Sequence, residues 1–330
     1  MKFKVALLVI AAILILVGAV AASGVPLSVA GESIWRGCFG SSRSVSGLLR
    51  EVVPFVMLGS AVFLALRAGL FNIGADGQFL VGALTSATVA LKVPNFGGLI
   101  LGLLGGIVAG ALWAFPAGWI RAYRGGHEVI TTIMLNNIAA LLATSMVSGP
   151  IKDPSQESTT TAILANATWL PMMSFGEVKI SLALPVAVFG VIGFAYWLRR
   201  SVKGFELEAT GANAGAATFA GIEVKSVQLR AMVASGAVAG LTGAIQVLAF
   251  EHRFYSNFSP GYGFDALGVA LLAGASPLGI LPAALGFGIL SKSATALSIE
   301  GIPKGITTLI VGLLIVILAA MRYRRERTSG

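Results

Sequence analysis

Apolar residues run along this chain in long unbroken blocks, separated by shorter polar and basic connections. The blocks are Val5–Ala22, Val52–Leu66, Phe79–Leu91, Gly97–Ile120, Val129–Val147, Ile180–Leu198, Leu229–Phe250, a pair Phe264–Ala273 and Leu278–Ala296 split by the Gly274–Pro277 turn, and Gly305–Met321. None alternates as a strand would, and most are long enough to cross hydrocarbon as helices. An outer-membrane barrel would instead need alternating segments of about ten residues. The pattern predicts an all-α polytopic membrane protein with about ten transmembrane helices, some of them broken or re-entrant. Ala19 and Ala21 after the first block also fit a signal-peptide cleavage site. The length of the run and the many spans that follow favour an uncleaved first span.

The connections carry the remaining information. Phe71–Gln78 reads FNIGADGQ, placing Asn72, Asp76 and Gln78 between two apolar blocks, with Gly69, Gly74 and Gly77 interrupting helical propensity. Polar groups and broken backbone at membrane depth persist only where protein or a watery path satisfies them. Ser23–Arg50 is Ser- and Gly-rich, with Arg36, Arg43 and Arg50 at seven-residue spacing, and reads as a short amphipathic helix along the outer surface. Gly149–Val178 is the longest polar loop, and Trp169 and Pro171 near its end suggest an element resting at the interface. Residues 199–228 form the one long charged segment with basic residues at both ends. Within it the small-residue run Gly211–Ala217 argues against simple solvation and for docking on a cytoplasmic partner.

Composition narrows this picture. The 330 residues are 56% hydrophobic and 11% charged, against roughly 25% charged in soluble domains. The net charge of +9 does not indicate nucleic acid, because much of it lies in short loops and at the C-terminus, where basic residues set orientation. With both termini cytoplasmic, ten spans place 14 basic residues inside and 8 outside, Lys292 staying within a span. Cys38 is the only cysteine, so no intrachain disulfide and no metal-ligand spacing exist. The chain contains no phosphate loop, and neither His127 nor His252 sits in a nucleophile motif. An enzyme is therefore not expected, nor a cofactor held by this chain. An echo between VITTIM (Val129–Met134) and GITTLI (Gly305–Ile310), in spans that cross in opposite directions, together with Gly-interrupted polar stretches around Asn72 and Asp265, points to inverted repeats with a path near the midplane.

Asn72, Asp76, Gln78, Asn136, Asn137 and Asp265 are the candidates for a substrate path or gate. A carboxylate at the bilayer centre costs at least ~2.5 kcal/mol, so Asp76 and Asp265 need partners or water. Asp76 has a second reading, as the cap that fixes a re-entrant turn. Asn136 and Asn137 lie about 100° apart on a helix, so one can line a path while the other bonds a neighbouring helix. Glu128 reads as a first-turn cap of its helix, and Lys292 can snorkel to the outer interface.

RAGLFNIGADGQ (Arg67–Gln78), HEVITTIMLNNIA (His127–Ala139), GFELEATGANAGAATFAGI (Gly204–Ile222), SGAVAGLTGA (Ser235–Ala244) and GYGFDALGVALLAGASPLG (Gly261–Gly279) resemble the permease subunits of bacterial and archaeal ABC importers for nucleosides and simple sugars. The likeness is greatest to the branch paired with basic-membrane-protein-type lipoprotein receptors for nucleosides, and it covers roughly Val52 to Met321. The resemblance implies one transmembrane permease domain over 1–330, with 1–50 as first span and outer amphipathic segment. It implies a second permease (a copy or a paralogue), ABC ATPase subunits that bind the ATP and Mg²⁺, an extracytoplasmic solute-binding lipoprotein, and a location in the prokaryotic inner membrane among lipid. It also implies that 199–228 is the coupling segment to the ATPase, through Gly204, Glu206, Glu208, Gly211, Asn213, Ala217 and Gly221. The sequence departs from the family at His127 (commonly Asn), at Glu208 (commonly basic) and at Asn213–Ala214 (commonly Asn-Pro). The departures at Glu208 and Ala214 bear on the detailed shape of the coupling helix. The expected function is ATP-driven import of nucleosides by alternating access. A simple-sugar permease and an ATP-independent secondary transporter are the rivals, and a membrane scaffold is a distant third.

Overall fold

In the computed structural model, Gly18 and residues 24–301 are described. The expected spans Val5–Ala22 and Gly305–Met321 lie outside the described residues, as does the second half of the VITTIM echo.

Two glycine-lined helices form the centre, α4 (Phe96–Arg124) and α9 (Val224–Ile245). They meet backbone on backbone. A Cβ added at Gly106 would stand 2.6 Å from Ala244 Cβ and 2.9 Å from the Gly240 carbonyl, and one at Gly110 would stand 2.7 Å from Gly240 Cα. Gly102, Gly106 and Gly110, at four-residue spacing along α4, leave one helix face without side chains and so admit a close neighbour. α3 (Ala75–Lys92) joins the same contact, since a Cβ at Gly82 would reach 2.5 Å from Gly240 Cα. Against this trio lies α2 (Ser42–Arg67), started by Ser41, whose side chain accepts from Ser44 N at 3.1 Å.

The other helices are α1 (Leu27–Cys38), α5 (Glu128–Ser148), α6 (Ala183–Arg200), α7 (Val202–Ala212), α8 (Ala214–Phe219), α10 (Tyr262–Leu272) and α11 (Ile280–Ile299). Six helical segments among the described residues are long and apolar enough to cross a membrane. In α2 and in α9 with its extension, 72% of the most apolar stretch is buried, but in α5 only 17% and in α6 28%. The outer helices α5 and α6 therefore leave Met134, Leu141 and Phe189 bare, a surface that lipid or another protein must cover. α3 and α10 fall short of the spanning criterion. Each follows a non-helical break, at 68–74 and at 252–261, and the Gly274–Pro277 turn lies between α10 and α11.

Three expectations on architecture change. Arg43 and Arg50 do not share a surface helix with Arg36, because α1 stops at Cys38 and both later arginines sit in the first turns of α2. The helical expectation is refined: the described residues are mostly helical and carry one short hairpin, β1 (Met172–Phe175) antiparallel to β2 (Val178–Ser181), turning at Gly176 with φ 61°. Trp169 does not face the interface alone; it stacks on His252 with centroids 3.7 Å apart and donates Nε1–H to the Leu164 carbonyl at 3.0 Å.

Candidate functional site

The break before α3 is a buried polar knot. Gly69 takes φ 74° at the end of α2, and the chain turns so that Asn72 is fully buried. Asn72 Nδ2 donates to Gln78 Oε1 at 2.8 Å and to Ser235 Oγ at 2.8 Å, while Gln78 Nε2 donates back to Asn72 Oδ1 at 3.0 Å. Ser235 passes its proton on to the Ala61 carbonyl at 2.6 Å. Three helices, α2, α3 and α9, are tied through one amide pair. Asn136 completes the knot from α5, accepting from Gly77 N at 2.9 Å and donating to the Ile73 carbonyl at 2.9 Å. Burial without those bonds would cost each amide several kcal/mol in hydrocarbon, so the interactions specify the turn.

Asp76 lies at the next level. Its Oδ1 accepts from Ser259 Oγ at 2.7 Å and from Gly263 N at 3.0 Å. Gly263 belongs to the first turn of α10, so one carboxylate in the first turn of α3 also caps the other broken helix. The approach requires glycine, since a Cβ at Gly263 would come to 2.6 Å from Asp76 Cβ. Asp265 stands within the field of Asp76, in the same first turn of α10. Asp76, Thr144 and Tyr255–Ser259 border a cavity of about 120 Å³. The candidates thus fall into groups: Asn72, Gln78 and Asn136 in the knot, and Asp76 and Asp265 at the meeting of the broken helices. Asn137 stands apart on the exposed face of α5, bonded only to its own helix at the Ile133 carbonyl, 3.2 Å away.

Glu128 does more than start α5. Its Oε2 pairs with Arg121 Nε at 3.3 Å and its Oε1 accepts from Phe71 N at 3.4 Å, joining α4 to the FNIG turn. Lys292 reaches α2, where its Nζ would stand 2.9 Å from a Cβ at Gly47.

The 199–228 segment folds as α7 and α8. Ser201 caps α7 through Gly204 N at 2.9 Å, and Asn213, at extended φ −159°, caps α8 through Ala216 N at 3.0 Å. Ala214 occupies the first helical position, where proline is favoured, so the break between the helices survives without one. Gly204 and Gly211 are the points of closest approach: a Cβ at Gly204 would stand 2.7 Å from Leu198 Cα, and one at Gly211 would stand 2.8 Å from the carbonyl carbon of Arg67. Glu208 Oε1 lies 3.8 Å from Arg67 Nη1, so the departure from a basic residue gains a partner. Arg67 also donates to the Ala275 carbonyl and stacks over Phe63 at 4.7 Å. Ala217 is buried, Gly221 turns the chain out at φ 83°, and Glu206 is half-buried. Val202, Phe205 and Phe219 are exposed, Phe219 by 97%. Sequence reasoning missed Arg67 and Ser235 as organising residues. Arg67 was visible as the first letter of RAGLFNIG, but Glu208 and Ala275, which it pairs with and donates to, are over a hundred residues away.

Residues 44–319 match the family described as branched-chain amino acid transport system / permease component. A guanosine ABC transporter permease protein of Bacillus subtilis (strain 168) is 32% identical over 306 residues, covering 90% of this chain and 87% of the relative. A nucleoside ABC transporter permease protein of Lactococcus lactis subsp. cremoris is 32% identical over 300 residues, 87% of this chain and 82% of the relative. A glucose ABC transporter permease protein of Haloferax volcanii is also 32% identical, over 302 residues, 88% and 80%.

Proposed function

Since the chain belongs to the branched-chain amino acid transport system / permease component family, we propose that it is the membrane-spanning subunit of an ATP-driven importer of nucleosides. The observation that carries the nucleoside reading is 32% identity over nine-tenths of the chain to a guanosine permease. A glucose permease at the same identity supports simple sugars as the second reading.

In this reading residues 1–330 form one permease domain of about ten helices with inverted-repeat character, and both termini are cytoplasmic. ATP and Mg²⁺ are bound by partner ATPases, a second permease completes the path, and a solute-binding lipoprotein delivers the solute outside. Arg67, Arg121 and Arg199 lie at the same helix ends as α7 and α8, which agrees with positive-inside topology. Val202, Phe205 and Phe219, bare beside Glu206, suit a cleft on the ATPase.

Movement there has a short route to the site. Gly211 rests on the Arg67 carbonyl, and Arg67 bonds both Glu208 and the turn before α11. The same arginine ends the helix that leads into Asn72. We assign Asn72, Gln78 and Asn136 to a hinge, Asp76 and Asp265 to a gate between the broken helices, and Asn137 to the lumen side facing the second permease.

Proteoliposomes holding the permeases, ATPase and receptor should take up labelled guanosine only with ATP inside, and unlabelled nucleosides should compete where glucose does not. Uptake without the ATPase would instead establish a secondary transporter. Competition by glucose alone would establish the sugar reading.

A further inference from the structure

The hairpin leans on the start of α2 and leaves a groove of about 250 Å³ that neither the polar knot nor the coupling segment uses. Its floor is apolar, built from Leu49 and Val53 of α2, Ile180, Leu184 and Phe250. Its rim is cationic, with Arg43, Arg50 and Lys179. The hairpin is fixed there because Lys179 N donates to Ser46 Oγ at 2.9 Å.

Arg50 is occupied, paired with Glu251 and lying over Phe250 at 5.3 Å. Arg43 and Lys179 have no ion-pair partner among the described residues, and both are exposed. Lys292 adds charge from behind, against Gly47. The nearby acids are engaged, Glu251 with Arg50 and Glu177 with Ser42 Oγ at 2.9 Å. Around the groove the surface is bare and apolar. Phe175 is 62% exposed and Met172 50% on the hairpin, and Val186 and Phe189 are exposed on α6. An apolar surface flanked by basic residues marks the level where a bilayer's hydrocarbon meets its headgroups.

From this arrangement we infer that the groove binds an anionic phospholipid, its phosphate between Arg43 and Lys179 and an acyl chain along Leu49, Val53 and Leu184. A small soluble anion would leave the apolar floor wet. An acidic loop of a partner protein would bring charge to a floor that has no polar partner for it. A chain-bearing anion satisfies rim and floor together, and it would link the hairpin to α2 across the groove.

Native mass spectrometry of the intact transporter tests this, titrated with dioleoyl phosphatidylglycerol, dioleoyl phosphatidylcholine and glycerol phosphate. The expected result is one phosphatidylglycerol per permease retained where phosphatidylcholine is stripped, with glycerol phosphate unable to displace it. Removing each charge should weaken retention about 5-fold, so Arg43→Gln/Lys179→Gln should lose the adduct while the outer-side control Lys92→Gln keeps it. Thermal unfolding of the double variant in lipid-free detergent should match the parent, which separates lost binding from misfolding. Equal retention of both lipids, or an unchanged adduct in the double variant, would overturn the proposal. So would displacement by glycerol phosphate, which would make it a soluble-anion site. Loss of receptor binding with lipid occupancy intact would make it a protein-docking site and would also overturn the proposal.

Discussion

Two of the breaks among the described helices, one before α3 and one before α10, are built differently. The first, around Asn72, uses one left-handed glycine and then hydrogen bonds among buried side chains. The second, from His252 to Gly261, carries two non-glycine residues at positive φ, His252 at 54° and Asn257 at 59°, before Gly261 at 101°. It is held by rings, Phe254 on Phe258 at 4.7 Å and Phe258 on Phe79 at 5.9 Å, and by hydrogen bonds to the outer loop, Thr161 N to the Phe254 carbonyl and Leu164 N to the His252 carbonyl, each at 2.8 Å. It also borders the 120 Å³ cavity. The bonds of the first break join it to the helices around it, whereas those of the second join it to the outer loop 159–164, and its stacked rings slide at low cost. The first break is therefore suited to be a pivot and the second a moving cover, and they touch through Asp76.

The contrast fails most visibly if the knot can be opened without loss. Asn72→Ala leaves Gln78 and Ser235 buried without their partner and should cost about 2–3 kcal/mol. Thermal unfolding of the purified protein should show a lowered midpoint, and uptake should fall with it. An unchanged midpoint would mean that the amides are solvated in the membrane and that the pivot lies elsewhere. In the second break, Asn257→Gly should be neutral or slightly stabilising, because glycine accepts positive φ without strain.

The joint between the breaks gives a smaller effect. Asp76→Ala removes the acceptor for Ser259 and Gly263 and should cost about 1 kcal/mol, loosening the second break alone in hydrogen exchange. Asp76→Asn keeps an oxygen for both donors and should retain stability and at least half of the uptake. A tenfold loss of uptake in a stable Asp76→Asn protein would show that the charge itself acts on the solute or on the gate.

Much of this was legible in the sequence. FNIGADGQ announced a broken helix because glycines and amides in an apolar chain permit little else. The spacing Gly102, Gly106, Gly110 announced the close crossing with α9 for the same steric reason. The roles of Asn72 and Asp76 were not legible, because Ser235 and Gly263, which decide them, lie far away in sequence and carry no local signal. Asn72 and Gln78 looked equally fit to line a path, and only their mutual bonds set them against each other instead. The hairpin escaped because MMSF and VKIS have no apolar alternation strong enough to read. The six-residue π-helical extension Gln246–Glu251 escaped because it is continuous with an ordinary apolar helix. It frees the Leu248 carbonyl for Leu170 N at 3.0 Å, a contact that only the folded outer loop supplies.

The smallest effect concerns acid. His252, just beyond the π-helical segment, stacks on Trp169, and burial, followed by the charge of Arg50, lowers its pKa from 6.5. The unfolded segment therefore takes up a proton near pH 6.5 while the folded one resists. The contribution of the neutral ring is whole above pH 6.5 and is lost as the pH falls through the lower folded value. Amide exchange across residues 252–261, corrected for intrinsic rates, should accelerate on acidification more than across residues 68–74, a stretch that carries no histidine. His252→Gln should remove the dependence and leave the rest of the profile unchanged. Equal acid sensitivity in both breaks would erase the distinction, since it would show that the aromatic cover is no softer than the knot beneath it.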